Sequence, residues 1–149
     1  MPPVSKYQLL IHLAQEKLDA AANRMGMAQQ SLSTAQRKLQ QVESFLAEYR
    51  NRRIERGAVG IGVAQWLDYQ RFLERLESAV EVQLQEVKTC EVIYAETRDQ
   101  WQTARQHLKA METLHTAEQQ RLLQQQMRRE QKQTDEFATR AFTVRSLSQ

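Results

Sequence analysis

Apolar side chains recur through the first third of the chain at intervals of alternately three and four residues. The positions are Val4, Tyr7, Ile11, Ala14, Leu18, Ala21, Met25, Ala28, Leu32, Ala35, Leu39, Val42, Leu46 and Tyr49. This alternation averages 3.5 residues, the repeat of a left-handed coiled-coil seam. It predicts one helix over about 4–56, with Pro2 and Pro3 suited to its first turn or to the segment before it. The seam fails at Arg53 and Arg56. Three of the four glycines then fall in the stretch 57–62, which predicts a turn at about 57–63. A second seam follows at Trp66, Tyr69, Leu73, Leu76, Val80, Gln83, Val87, Cys90, Tyr94, Thr97, Trp101, Ala104, Leu108 and Met111. Only Gln83 and Thr97 are polar among these. The pattern fades at His115, Glu118 and Gln125, so the second helix has partner residues over about 64–118.

A short turn between two long helices makes them antiparallel neighbours. The expected fold is all-α, a long antiparallel two-helix coiled coil with a helical overhang over 119–149. The chain reads as a single coiled-coil domain, 1–149, in the form of a slender rod. One register aligns both seams. It places Leu46 opposite Leu73, Val42 opposite Leu76, Leu39 opposite Val80 and Leu32 opposite Val87. Further from the turn, Ala28 meets Cys90, Met25 meets Tyr94, Leu18 meets Trp101 and Ile11 meets Leu108. Ala14, Ala21, Ala28 and Ala35 recur every seven residues, and such small side chains leave room for bulk across the seam. Gly26 lies beside the seam, where it costs about 1 kcal/mol relative to Ala. It marks either a slight kink or a close approach.

Composition agrees with helix. Gly and Pro number four and two, aromatics are 7% and charged residues 26%. No apolar run approaches the roughly 18 residues that span a bilayer. The N-terminus lacks the features of a signal peptide. The single cysteine, Cys90, has no partner for an internal disulfide, and the cytosol is the simplest compartment. Net charge is +3. Residues 1–118 carry 15 basic and 15 acidic side chains, whereas residues 119–149 carry six basic and three acidic.

No catalytic set emerges, so no enzyme activity is expected. His12, His107 and His115 have no converging acidic or thiol partners, and they read as solvated surface residues rather than metal ligands. No glycine loop followed by Lys offers a phosphate cradle, and no cofactor is expected. Arg50, Arg52, Arg53 and Arg56 cluster before the turn. Such a cluster suits nucleic acid or acidic lipid, but Glu48, Glu55 and Asp68 dilute it, and a solvated helix end explains it as well. Phe45, Phe72 and Ala79 flank the seam near the turn. They either widen the helix contact or form an exposed apolar patch for a protein partner.

Particular segments are more specific than the periodicity. These are Glu48-Tyr49-Arg50-Asn51, the Gly60-Ile61 turn, Trp66-Leu67-Asp68-Tyr69-Gln70-Arg71-Phe72 and the tail element from Lys132 to Ala141. Together they resemble the FliJ family of flagellar export proteins, and the likeness covers essentially the whole chain. The resemblance implies a soluble stalk and coupler of the flagellar type III export apparatus. It would be cytoplasmic and peripherally associated with the inner face of the membrane at the flagellar base. The implied partners are the hexameric export ATPase FliI, the cytoplasmic domain of the export gate protein FlhA, and export chaperones. No nucleic acid is implied. The positions matching the family's gate contact are Lys38, Val42, Phe45, Tyr49, Phe72, Leu76, Ala79 and Gln83, of which Lys38 and Gln83 depart in residue type. The ATPase ring would take the overhang through Arg121, Arg128, Arg129, Lys132, Phe137 and Arg140. The alternatives are the equivalent stalk of a virulence type III secretion system, or a general cytosolic coiled-coil chaperone or tether.

Overall fold

The computed structural model describes residues 6–57, 60 and 62–148. The expected helix start at Pro2–Val4 and the turn residues Ala58, Val59 and Ile61 lie outside the described residues. Two α-helices make up the fold, and no strand occurs among the described residues. Helix α1 runs Lys6–Gly57 and α2 runs Val63–Leu147, 52 and 85 residues respectively. The all-α, two-helix expectation holds. Between the helices, Gly60 has φ +77°, a left-handed conformation that side chains disfavour. The Trp66 amide donates to the Gly62 carbonyl at 3.0 Å, closing the first turn of α2.

Two compact units divide the chain. One comprises Leu18–Ala104, and the other comprises Met1–Lys17 with Arg105–Gln149. In the first unit the helices pack antiparallel through the seam. Ala21, Ala28, Ala35, Leu46, Tyr69, Leu73, Val87 and Cys90 are buried there. A core cluster joins Ala35 to Val87 and Cys90, with Leu32 and Leu39 packed against it. Those contacts match the register read from the two periodicities. The polar seam positions are satisfied locally. Gln83 Nε2 donates to the Ala35 carbonyl at 3.0 Å, and Thr97 Oγ1 donates to the Tyr94 carbonyl at 2.8 Å. Neither leaves an unmet polar group against apolar neighbours, which would cost on the order of 1–3 kcal/mol.

In the second unit, the first turns of α1 cover α2 residues beyond Arg105. Ala14 and Leu108 are buried, and the Tyr7 and His115 rings lie 6.3 Å apart. From Gln119 to Ser148 every residue is exposed, yet α2 continues unbroken to Leu147. Alanine every seventh residue leads to the tightest packing in the chain, because Ala14 and Ala21 are each only 2% exposed. No residue is completely enclosed among those described. Two helices alone cover one stripe each, so flanking positions stay wet.

Three details bear on the sequence reading. Trp66, a seam position by spacing, is 43% exposed. Its opposite number is Arg53, whose guanidinium carbon stands 5.8 Å from the ring centroid. A cation–π pair therefore ends the seam where an apolar pair would have closed it. His115 is not a solvated surface histidine. It is half-buried, and its Nδ1 is covered without a hydrogen-bond partner. It continues the seam spacing four residues after Met111, and the Tyr7 ring of α1 lies 6.3 Å from its own. Finally, beyond the adjoining stretch of its own helix nothing lies within 4 Å of where a Cβ on Gly26 would stand, so the close approach offered as one reading there is absent within the described residues.

Candidate functional site

Aromatic side chains at the turn-proximal part of the first unit form one connected cluster. Tyr49 and Tyr69 stack with centroids 4.3 Å apart. The Tyr69 hydroxyl donates to the Tyr49 backbone carbonyl, which orients the Tyr69 ring. Phe72 meets Tyr49 edge-on at 4.6 Å and Phe45 edge-on at 6.4 Å. Edge-on and offset geometries are the favourable ones for aromatic quadrupoles. Phe45 and Phe72 are nevertheless 47% and 37% exposed. Their positions flank the seam on the same side, so neither helix can cover them. Arg50 Nη2 donates to Glu77 Oε1 at 2.9 Å and braces the two helices beside the cluster.

The eight positions expected to contact a gate protein divide into two sets. Phe45, Phe72, Ala79 and Lys38 are exposed, whereas Val42, Tyr49, Leu76 and Gln83 are half-buried seam residues. The structure thus joins Phe45, Tyr49 and Phe72 directly. Lys38 and Gln83 share a shallow groove with Met27, Ser31, Thr34 and Glu86, floored by Ala35 and Cys90. Burial, and then the neighbouring Glu86, pushes the Cys90 thiol above its ordinary range. The periodicity assigned Tyr69 to the seam and so concealed its part in the aromatic cluster. Ser31 and Thr34 were equally hidden. Only their small size beside the seam signalled a groove.

The overhang presents a different surface. Arg121, Arg128, Arg129, Lys132, Phe137 and Arg140 are all exposed. Arg121 Nε and Nη2 donate to the two Glu118 oxygens at 3.1 and 2.7 Å. These bonds hold the Glu118 carboxyl below the usual carboxylate range. The pair caps the stretch where α2 loses its cover.

Among the described residues, no group of three His, Cys, Asp or Glu side chains could hold a metal ion. His12 lies against Glu16 on the same helix at 3.0 Å. No described helix is long and apolar enough to cross a membrane. The surface these residues present consists of partly exposed rings in mutual contact and an uncovered, net-positive stretch of helix.

Comparison with known proteins agrees. The family model described as Flagellar FliJ protein matches residues 4–147. A Flagellar FliJ protein from Escherichia coli (strain K12) is 29% identical over 129 residues, covering 87% of this chain and 88% of that relative. One from Salmonella typhi is 30% identical over 135 residues, covering 90% and 91%. With its paired seams, its aromatic cluster beside the turn and a match over nearly its full length, the chain belongs to the FliJ family of flagellar proteins.

Proposed function

We propose that this flagellar export component acts as a non-enzymatic stalk and coupler, binding the export gate with one surface and the export ATPase with another. The observation that carries the reading is the cluster of Phe45, Tyr49 and Phe72, packed ring against ring yet left partly exposed. Preordered aromatic side chains lose little entropy on docking and dominate the energy of protein interfaces. Their surface, with Val42, Leu76, Ala79, Lys38 and Gln83 around it, would take the cytoplasmic domain of FlhA. The exposed overhang, through Arg121, Arg128, Arg129, Lys132, Phe137 and Arg140, would enter the hexameric ring of FliI. Its excess of positive charge suits acidic loops on the ring. Export chaperones are further partners on this reading. The protein would work in the cytoplasm, at the inner face of the membrane.

The test uses the full chain with purified FliI and the FlhA cytoplasmic domain. Both should be retained on the immobilised chain, and ATPase turnover should rise on its addition. Reversing Arg128 and Arg129 to Glu should abolish the rise and leave FlhA retention intact. Retention of neither partner, with no change in turnover, would return the chain to the class of general coiled-coil tethers.

A further inference from the structure

The hairpin seam does not continue into the overhang. Extended past Glu118 at the same spacing, it would fall on Leu122, Gln125, Arg129, Lys132, Glu136 and Thr139, of which only Leu122 is apolar. A different set carries the apolar side chains. Leu123, Met127, Glu130, Thr134, Phe137, Ala141 and Val144 recur at alternate intervals of four and three residues, and five of the seven are apolar. This stripe starts one residue later than the seam, which turns it by about 100° from the line that faces α1. It is therefore a separate face and not a remnant of the intrachain contact. Leu123, Met127, Phe137 and Val144 are each more than half exposed on it.

The residues beside the stripe point to its cover. In an antiparallel pair of two copies, two-fold symmetry sets each flank against the same flank of the other copy. Charged flanks of one sign would then repel each other. Here the flanks between Leu123 and Phe137 are Gln124, Gln126, Gln131 and Gln133, which are neutral and both donate and accept hydrogen bonds. Arg128, Arg129 and Lys132 stand on the far side of the helix by their spacing. A two-fold axis at residue 132 aligns the stripe with itself. Leu123 then meets Ala141, Met127 meets Phe137 and Glu130 meets Thr134, each pair occurring twice. Bulk faces a small side chain, a pliant Met faces a ring, and the polar positions meet at the centre. In the same alignment Arg128 and Arg129 of one copy lie level with Glu136 and Asp135 of the other. A parallel pair would instead set each arginine level with its own counterpart.

We propose that the overhang is a self-association element, through which two copies of this chain pair antiparallel along Leu123, Met127, Phe137, Ala141 and Val144. The contact strip is about 45 Å long and about 10 Å wide, which buries roughly 900 Å² over both copies. Stable complexes bury about 1,200–2,000 Å². The dimer is therefore weak and forms as concentration rises. Its symmetry is closed, so pairing stops at two copies. The pairing does not rest on the ring contact proposed above, although both use Phe137 and so compete for it.

The test is sedimentation velocity of the full chain from micromolar to near-millimolar concentration, which should show a monomer–dimer equilibrium. Met127→Gln and Phe137→Gln each remove two contacts per dimer and should weaken it by at least about tenfold, with helix content unchanged. Phe142→Gln is the control, because Phe142 is as exposed as Phe137 but lies off the stripe, and it should leave the equilibrium unchanged. Direction is read by oxidative cross-linking in a Cys90→Ala background. A mixture of Met127→Cys and Phe137→Cys chains should give mixed disulfide dimers. Met127→Cys alone should not, since its two copies lie about 15 Å apart along the axis. A chain that stays monomeric throughout would overturn the proposal. So would a dimer that Phe142→Gln weakens as much as Phe137→Gln does, or one in which Met127→Cys alone cross-links as readily as the mixture.

Discussion

Phe72→Ala separates interface from core more sharply than any other change in the cluster. Phe72 is 37% exposed, so roughly two thirds of its surface is covered. Fully burying such a side chain is worth about 1.5–3 kcal/mol, which scales here to about 1–2 kcal/mol. Its edge-on contacts with Tyr49 and Phe45 add about 0.5–1.5 kcal/mol each, the lower end applying to partly wet rings. The expected cost is therefore about 2–4 kcal/mol, lowering Tm by roughly 5–15 °C. Domains of this size are typically stable by about 5–15 kcal/mol, so the variant stays folded and its ellipticity at low temperature barely changes. Binding of the gate domain should fall at least tenfold, since a central interface aromatic is worth about 2 kcal/mol or more. Val87→Ala is the matched control. Val87 is buried within the Ala35–Cys90 cluster, and its truncation costs about 2 kcal/mol without touching the aromatic surface. It should lower Tm comparably and leave binding intact. Melting curves by circular dichroism and calorimetric titration with the gate domain decide the matter. Unchanged binding in Phe72→Ala, equal loss in Val87→Ala, or collapse of helix content at low temperature would each refute the reasoning.

Other substitutions probe the packing. Gly26→Ala meets open space and removes a flexible helix residue, so it should stabilise by about 1 kcal/mol, seen as a rise in Tm. Ala21→Leu should destabilise by about 1–3 kcal/mol, because its 2% exposure leaves no room for the added carbons; an unchanged Tm would show a looser seam. Cys90 gives a pH signature. Its folded pKa lies above the ordinary 9.0, so the neutral thiol favours the native state. That contribution is fully present below 9.0 and is lost as pH rises through the folded value. Stability of the native protein should therefore fall on the alkaline side more steeply than in Cys90→Ala, and a thiol reagent should modify Cys90 slowly until the protein is unfolded.

The periodicity of the chain alone determined the helix class, the antiparallel pairing and the register. Leu32 with Val87 and Ala35 with Gln83 follow from two 3.5-residue repeats joined by one short turn, because seam residues have a single dry place to go. The alanine spacing likewise showed where the helices would pack most tightly. The specific segments, such as Trp66 to Phe72, carried the family. Side-chain environment at the flanks and ends was not legible in this way. Whether Trp66 is covered depends on what faces it, and Arg53 gives a half-open cation–π pair. Tyr69 reads as one more seam residue, yet its hydroxyl and ring join it to Tyr49. His115 reads as surface for want of ligand partners, yet it is half-buried, with its Nδ1 covered and the Tyr7 ring 6.3 Å from its own. Heptad spacing assigns each residue a direction from its own helix axis. Only the tertiary structure decides which atoms of the other helix arrive there, since that depends on side-chain length and rotamer and not on spacing.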